Sequence, residues 1–264
     1  MSVIQLLSNL HLEAPKSYDI FEIAPVAPCL ALLGDIGCIQ DDGYFSFIER
    51  QLTKFKVVFI LLGNYEPYHS SWATAKQKIQ QFERETREKY TDESFGIFIF
   101  LDQTRYDLSS DITILGCTLF SNILASQSES VSFGLNDFYY IDNWSVARHS
   151  EAHMEDLNWL NAHVKSITEC EPHRKIIILT HYCPTISSQA VDPAHADSRI
   201  SSAFSSDLAD EVCWTSQSVK VWAFGHTHFN CDFVDPITGK RIIANQRGYY
   251  FSQSTGFNEK TVIV

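Results

Sequence analysis

Short apolar runs of five to seven residues recur along the chain, separated by longer amphipathic segments, and this alternation limits the possible folds more than any other feature. The runs are VIQLL (3–7), CLALL (29–33), VVFILL (57–62), GIFIFL (96–101), ITILGCT (112–118), KIIILT (175–180) and VKVWAF (219–224). Runs of that length predict buried strands. CDFVD (231–235) and RIIAN (241–245) flank PITG and predict a hairpin. Helices are predicted over 44–55, 71–90 and 150–167, and strands interleaved with helices are the α/β pattern. The second helix has Ser70 or Ser71 to cap it and carries Trp72, Ala75, Ile79 and Phe82 at helical spacing.

Two stretches, 120–146 and 182–206, are rich in Ser, Asn, Asp and aromatics without clean periodicity. Loops this long are uncommon in a compact domain unless they build a site. No repeat, low-complexity tract or Pro/Gly/Ser-rich linker interrupts the chain, so residues 1–264 are expected to form one domain.

Composition narrows the function classes. Hydrophobic residues make up 45% and charged residues 20%, and the net charge of −12 is spread along the chain rather than gathered in a tail. Such a surface repels polyanions, which argues against generic nucleic-acid or anionic-membrane binding. The seven cysteines (29, 38, 117, 170, 183, 213 and 231) form no CxxC pair and read as reduced core thiols. The N-terminus carries no basic segment followed by an apolar one, and no apolar stretch approaches the roughly 20 residues of a membrane span. The expectation is a soluble cytoplasmic protein.

The ends of the apolar runs carry the chemistry. VIQLL is followed by Ser8-Asn9-Leu10-His11, CLALL by Gly34-Asp35, and VVFILL by Gly63-Asn64. KIIILT is followed by His181, and VKVWAF by Gly225-His226-Thr227-His228. In α/β folds, ligands gather beyond the carboxyl ends of the strands. A single histidine after a strand is more often a hydrogen-bonded loop or core residue than a ligand. Gly-Asp and Gly-Asn are common turn dipeptides. Five such ends in the order N-x-H, GD, GN, H, GHTH make chance convergence a poor explanation.

That order resembles the calcineurin-like metallophosphoesterases, whose pattern is D-x-H, GD, GNH followed by D or E, a lone H, and GHxH, and it spans residues 9–228. The resemblance implies a four-layer α/β/β/α sandwich of two mixed sheets with a dinuclear metal centre at the strand ends. It implies that Asp35 bridges both metals, that His11 and His228 bind one of them with Asn9, and that Asn64, His181 and His226 bind the other. Imidazole nitrogens and carboxylate oxygens suit Mn, Fe or Zn. Two such ions can hold a phosphate in line for attack at phosphorus. Asp35, Asn64 and Tyr65 are the expected catalytic positions.

The chain departs from the pattern twice: Asn9 stands where the family has Asp, and Tyr65 where it has His. An Asn9 carbonyl is a weaker ligand than a carboxylate, so only one of the two ions is expected to bind tightly. A histidine near pKa 6.5 can deliver a proton at neutral pH, whereas a tyrosine near 10 mainly donates a hydrogen bond. Rescue by His69 requires the following helix to begin early enough for it to share a face with Tyr65.

Lesser candidates are Arg148, which could clamp a phosphate oxygen, and the loop residues Asn136, Asp137, Phe138, Tyr139, Tyr140 and His195, which could face the cleft. His149 and His153 read as part of a helix entry capped by Ser145 or Ser150, and the spacing of Cys183 gives it no role. Two functions follow: a metal-dependent phosphoesterase acting on a small phosphomonoester or phosphodiester, or a metal-binding but catalytically quiet relative serving as a binding module. The first is favoured because Asp35 and both histidines of GHTH are retained.

Overall fold

The computed structural model describes residues 3–90, 94–195 and 197–263. Each predicted apolar run forms a strand: β1 (Ile4–Leu7), β2 (Cys29–Leu33), β3 (Val57–Leu61), β4 (Ile97–Phe100), β6 (Ile112–Cys117), β7 (Lys175–Thr180) and β8 (Val219–Phe224), with β5 (Thr104–Asp107) preceding β6. The predicted hairpin is β9 (Cys231–Val234) and β10 (Arg241–Ala244). Two short strands, β11 (Gly248–Tyr249) and β12 (Ser252–Gln253), pair with each other, and β13 (Val262–Ile263) closes the order. β5 and β13 went unpredicted; both are edge strands, and the partly exposed TRYD of β5 needs no apolar run.

One sheet has the order β13-β1-β2-β3-β4, and the other β5-β6-β7-β8-β10-β9. β1 to β4 run parallel, as do β6, β7, β8 and β10, while β13, β5 and β9 are antiparallel to their neighbours. The hairpin therefore adds an interior strand, β10, as well as an edge.

Alternation along each strand splits the core in two. Cys29, Ala31 and Leu33 of β2, with Ile177 and Leu179 of β7, pack between the sheets. Leu30 and Leu32 of β2, with Ile176 and Ile178 of β7, point outward into a cluster shared with helices. Those helices are α1 (Gly43–Leu52), α2 (Trp72–Lys89) and α5 (Val146–Cys170). The result is the four-layer α/β/β/α sandwich of two mixed sheets. α2 is capped by Ser71, whose hydroxyl accepts from the Thr74 N–H at 3.1 Å. α5 starts a turn earlier than predicted because Ser145, not Ser150, is the cap.

The two aperiodic stretches fold against each other. The first contains α3 (Ser128–Gly134) and α4 (Asp137–Tyr140), followed far along the chain by the short helix α6 (Val212–Thr215). Ile123, Val131 and Leu135 from the first stretch pack with Ala203 of the second, with Ile200 and Phe204 beside them. Five cysteines are buried and Cys170 is exposed. No helix among the described residues is long and apolar enough to cross a membrane.

Candidate metal centre

β1, β2 and β3 are neighbours, so Asn9, Asp35 and Asn64 emerge from adjacent carboxyl ends; β7 and β8 bring His181 and His226 from the other sheet. The backbone there is unusual. Ten non-glycine residues have positive φ among those described, and five of them are Asn9, His11, Asp35, His226 and His228. Such conformations cost on the order of 1–3 kcal/mol each and persist where the surroundings over-determine them. The glycines of the motifs serve close approach: a Cβ at Gly34 would strike the Gly63 backbone and the His181 ring, and one at Gly63 would strike the Asp35 carboxylate.

Asp35 is buried at the centre. Its Oδ2 lies 3.4 Å from His181 Nε2 and 3.9 Å from His11 Nε2, and its Oδ1 accepts from the Tyr65 backbone N–H at 2.9 Å. Burial alone would raise this carboxyl, but His181, then His11 and His226, outweigh it and hold it below the usual carboxylate range. His181 Nδ1 donates to the Leu33 carbonyl at 2.8 Å, which turns Nε2 toward Asp35. His226 Nε2 is 3.3 Å from the Ala203 carbonyl, which leaves Nδ1 as its lone-pair nitrogen. Asp35, His181 and His226 each offer a ligand atom, and these atoms lie within 4.8 Å of one another.

The two asparagines of the motifs face opposite ways. Asn64 Nδ2 donates to Asp137 Oδ1 at 2.9 Å, so its oxygen turns inward, 3.2 Å from His181 Nε2. Asn9 Oδ1 accepts from the His226 backbone N–H at 2.9 Å and from the Ser8 hydroxyl, while its Nδ2 donates to Asp35 Oδ2 at 3.1 Å. A backbone N–H can only donate and a carboxylate can only accept, so the orientation of the Asn9 amide follows from its partners. The sequence reading has the Asn9 carbonyl facing a metal; here the amide turns its N–H toward Asp35 Oδ2.

The donors fall into two halves. Asp35, Asn64, His181 and His226 supply a carboxylate, an amide oxygen and two imidazoles, a set suited to Mn, Fe or Zn. In the other half, His11 Nε2 and His228 Nε2 sit 3.0 Å apart, and His11 Nδ1 lies 3.0 Å from Glu13 Oε1. The rings of Tyr65 and Tyr249 lie against His11, with centroids 4.5 Å and 4.3 Å away, and their hydroxyls are hydrogen-bonded to each other.

Glu66 was missed as an organising group. It is buried and accepts the backbone N–H groups of Gly63 at 2.8 Å, Ile36 at 2.9 Å and Asp35 at 3.0 Å, tying two strand-end loops together. Burial and then Asp35 push its carboxyl up to about 8. Its signal was available as an acid three residues past a strand-end glycine. Asp137, which orients Asn64 and also accepts from Tyr68 at 2.7 Å, is pushed up to about 6 by burial.

Above these groups lies a cavity of about 380 Å³ walled by both aperiodic stretches. Asn136, Asp137 and His195 line it, as the sequence suggested; Phe138 packs in the apolar cluster and Tyr139 and Tyr140 are exposed. Arg148 sits exposed in the first turn of α5 and does not line the cavity. His149 Nε2 meets the Ser121 N–H at 3.0 Å and His153 Nδ1 the Leu119 carbonyl at 2.9 Å, so both are core histidines. His69 is exposed, precedes α2 and packs on Tyr140 at 5.4 Å, so it shares no helical face with Tyr65.

Comparison with known proteins follows the same lines. The family model for calcineurin-like phosphoesterases matches residues 7–230. An uncharacterised protein of Acanthamoeba polyphaga mimivirus is 29% identical over 267 residues, covering 94% of this chain and 92% of its own. The crystal structure of a phosphopantetheinyl hydrolase from Mycobacterium tuberculosis superimposes with a TM-score of 0.67 at 12% identity, covering 94% of this chain and 89% of that one. A dimetal phosphatase from Danio rerio gives a TM-score of 0.49 at 12% identity, over 92% and 87% of the two chains.

Proposed function

Since the chain belongs to the calcineurin-like phosphoesterase family, we propose that it is a metal-dependent hydrolase of a small phosphomonoester or phosphodiester, with residues 1–264 acting as one catalytic unit. The observation that carries this reading is the convergence of Asp35, His181 and His226 at the base of a walled cavity. Asp35, Asn64, His181 and His226 would hold a divalent cation, which when bound would supply Lewis-acid polarisation of a phosphoryl oxygen.

The surrounding residues hold that donor set in place. The Leu33 and Ala203 carbonyls select the tautomers of His181 and His226, and Asp137 keeps the Asn64 oxygen inward. The Tyr65 N–H and the Asn9 amide fix the Asp35 carboxylate. The Tyr65 hydroxyl lines the cavity as a hydrogen-bonding group; burial and its bond to Tyr249 raise its pKa, so it keeps its proton near neutral pH. A missing general acid costs on the order of 10² to 10⁴ in rate, so esters with good leaving groups are the favoured substrates.

The test is hydrolysis of p-nitrophenyl esters by protein loaded in turn with Mn, Fe and Zn. Asp35→Asn and His226→Ala are each expected to abolish metal-dependent turnover, and unchanged rates in both would remove the hydrolase reading. The catalytically quiet binding module has one observation in its favour, the inward N–H of Asn9. It predicts bound metal with no turnover of any phosphoester, so metal-dependent turnover excludes it.

A further inference from the structure

The chain leaving β10 enters the centre as a further strand end, past residue 230 where the family match stops. Gln246 forms a parallel bridge with Ser8, so the exit of β10 in one sheet meets the exit of β1 in the other. From this point the segment holds both loops that carry the histidines of the second half.

On the β1 side, the Arg247 N–H donates to the Ser8 carbonyl at 3.1 Å and the Gly248 N–H to the Asn9 carbonyl at 3.0 Å. The buried Arg247 guanidinium lies over the Phe21 ring and donates to the Leu10 carbonyl at 2.9 Å. Residues 8–10 are thereby fixed up to His11. On the β8 side the contacts come from the Gln246 side chain, which is fully buried. Its Oε1 accepts the His228 N–H at 2.7 Å, and its Nε2 donates to the Thr227 hydroxyl at 2.9 Å and the Phe229 carbonyl at 3.0 Å. Asn230 holds Gln246 in turn, accepting its N–H at 2.6 Å and donating to its carbonyl at 2.9 Å.

His11 and His228 both have positive φ, a conformation that persists where the surroundings fix it. The Tyr249 ring then covers both imidazoles, with centroids 4.3 Å from His11 and 4.9 Å from His228. His226, in the same loop as His228, is held by other groups: Asn9 Oδ1 accepts its N–H, and the Ala203 carbonyl faces its ring. The reach of Gln246 is therefore the His11–His228 half.

We propose that Gln246 is a positioning residue for a cation at His11 and His228. Its amide sets the backbone of His228, and the segment it begins sets the approach to His11, so that the two Nε2 atoms meet. The proposal rests on the family reading of these histidines as ligands and adds a side chain outside the motifs.

Equilibrium titration with Mn(II), followed by the electron paramagnetic resonance of the free ion, tests it without reference to turnover. The parent is expected to show a tighter step at Asp35, Asn64, His181 and His226 and a weaker one at His11 and His228. His11→Ala with His228→Ala is expected to remove the weaker step alone. Gln246→Met keeps the shape of the side chain without its acceptor or its donor. It is expected to weaken the weaker step about tenfold or more and the tighter one by less than about twofold. Added to the double-histidine variant, it is expected to change nothing. Thr227→Val removes only the hydroxyl that Gln246 Nε2 meets, and is expected to weaken the same step about threefold, which carries the test if Gln246→Met does not fold. Equal losses in both steps, or no loss in either, overturn the proposal, because Gln246 would then serve the fold at large or neither half. A parent isotherm unchanged by removal of both histidines also overturns it, while the hydrolase reading, which rests on the other four donors, stands. Selective weakening with no turnover of any ester upholds the proposal while the hydrolase reading fails.

Discussion

Asn9 is the residue on which the chemistry of the centre turns. Its amide nitrogen donates to Asp35 Oδ2 at 3.1 Å, and its oxygen is held by the His226 N–H. Replacing it with aspartate keeps the acceptor for His226 and points a second carboxylate oxygen at Asp35. Two carboxylates at that separation repel strongly unless a cation lies between them. Asn9→Asp is therefore expected to melt at a lower temperature than the parent when metal-free, and to raise bound metal from about one ion per chain to about two. Elemental mass spectrometry after dialysis reads the stoichiometry; one ion in both proteins would sink the argument. Tyr65 shows the same economy of position: its backbone N–H serves Asp35 while its ring lies against His11.

At the scale of elements, α5 does two jobs. Leu157, Leu160, Val164 and Ile167 bury its later turns, and His149, His153 and Asp156 bury its first turns against residues 119–121. Burial, then the neighbouring His153, pushes His149 down to about 3. A histidine neutral when folded but titrating near 6.5 when unfolded destabilises the fold as pH falls from about 6.5 toward 3, because only the unfolded chain takes up the proton. Asp156, pushed up to about 6 by burial, works in the opposite direction. His149→Gln removes the histidine share. Urea unfolding at pH 7 and pH 5 is expected to show the parent losing about 2 kcal/mol more than the variant over that interval. Equal losses would mean that His149 is not held neutral by the fold. The same region explains why residues 120–146 resist sequence reading: their apolar residues pair with residues 200–204 rather than with each other at helical spacing.

For the whole molecule, the centre is a clasp between sheets. Asp35 and Asn64 follow strands of one sheet, and His181 and His226 follow strands of the other. A cation bound by all four adds its binding free energy to the stability of the assembled sandwich, about 2.7 kcal/mol at a free concentration of 100 times its Kd. Chelation of the metal-loaded protein is accordingly expected to lower Tm by about 5–10 °C. A Tm indifferent to chelator and to added Mn, Fe or Zn would mean that these donors hold no ion that bridges the sheets.

Much of this was legible in the chain. Buried strands covered on both sides must be apolar along their whole length, so seven runs stood out, and the polar residues ending five of them are local in sequence. Those features determined the α/β class, the family pattern and which side chains could be ligands. What only the tertiary structure decided is which atoms those side chains present. Asn9 and Asn64 are the same residue type at equivalent strand ends, yet one turns its nitrogen inward and the other its oxygen. The difference is set by His226, 217 residues from Asn9, and by Asp137, 73 residues from Asn64. An amide has two ends of nearly equal size and opposite hydrogen-bonding character, so only the partners brought against it by folding choose between them.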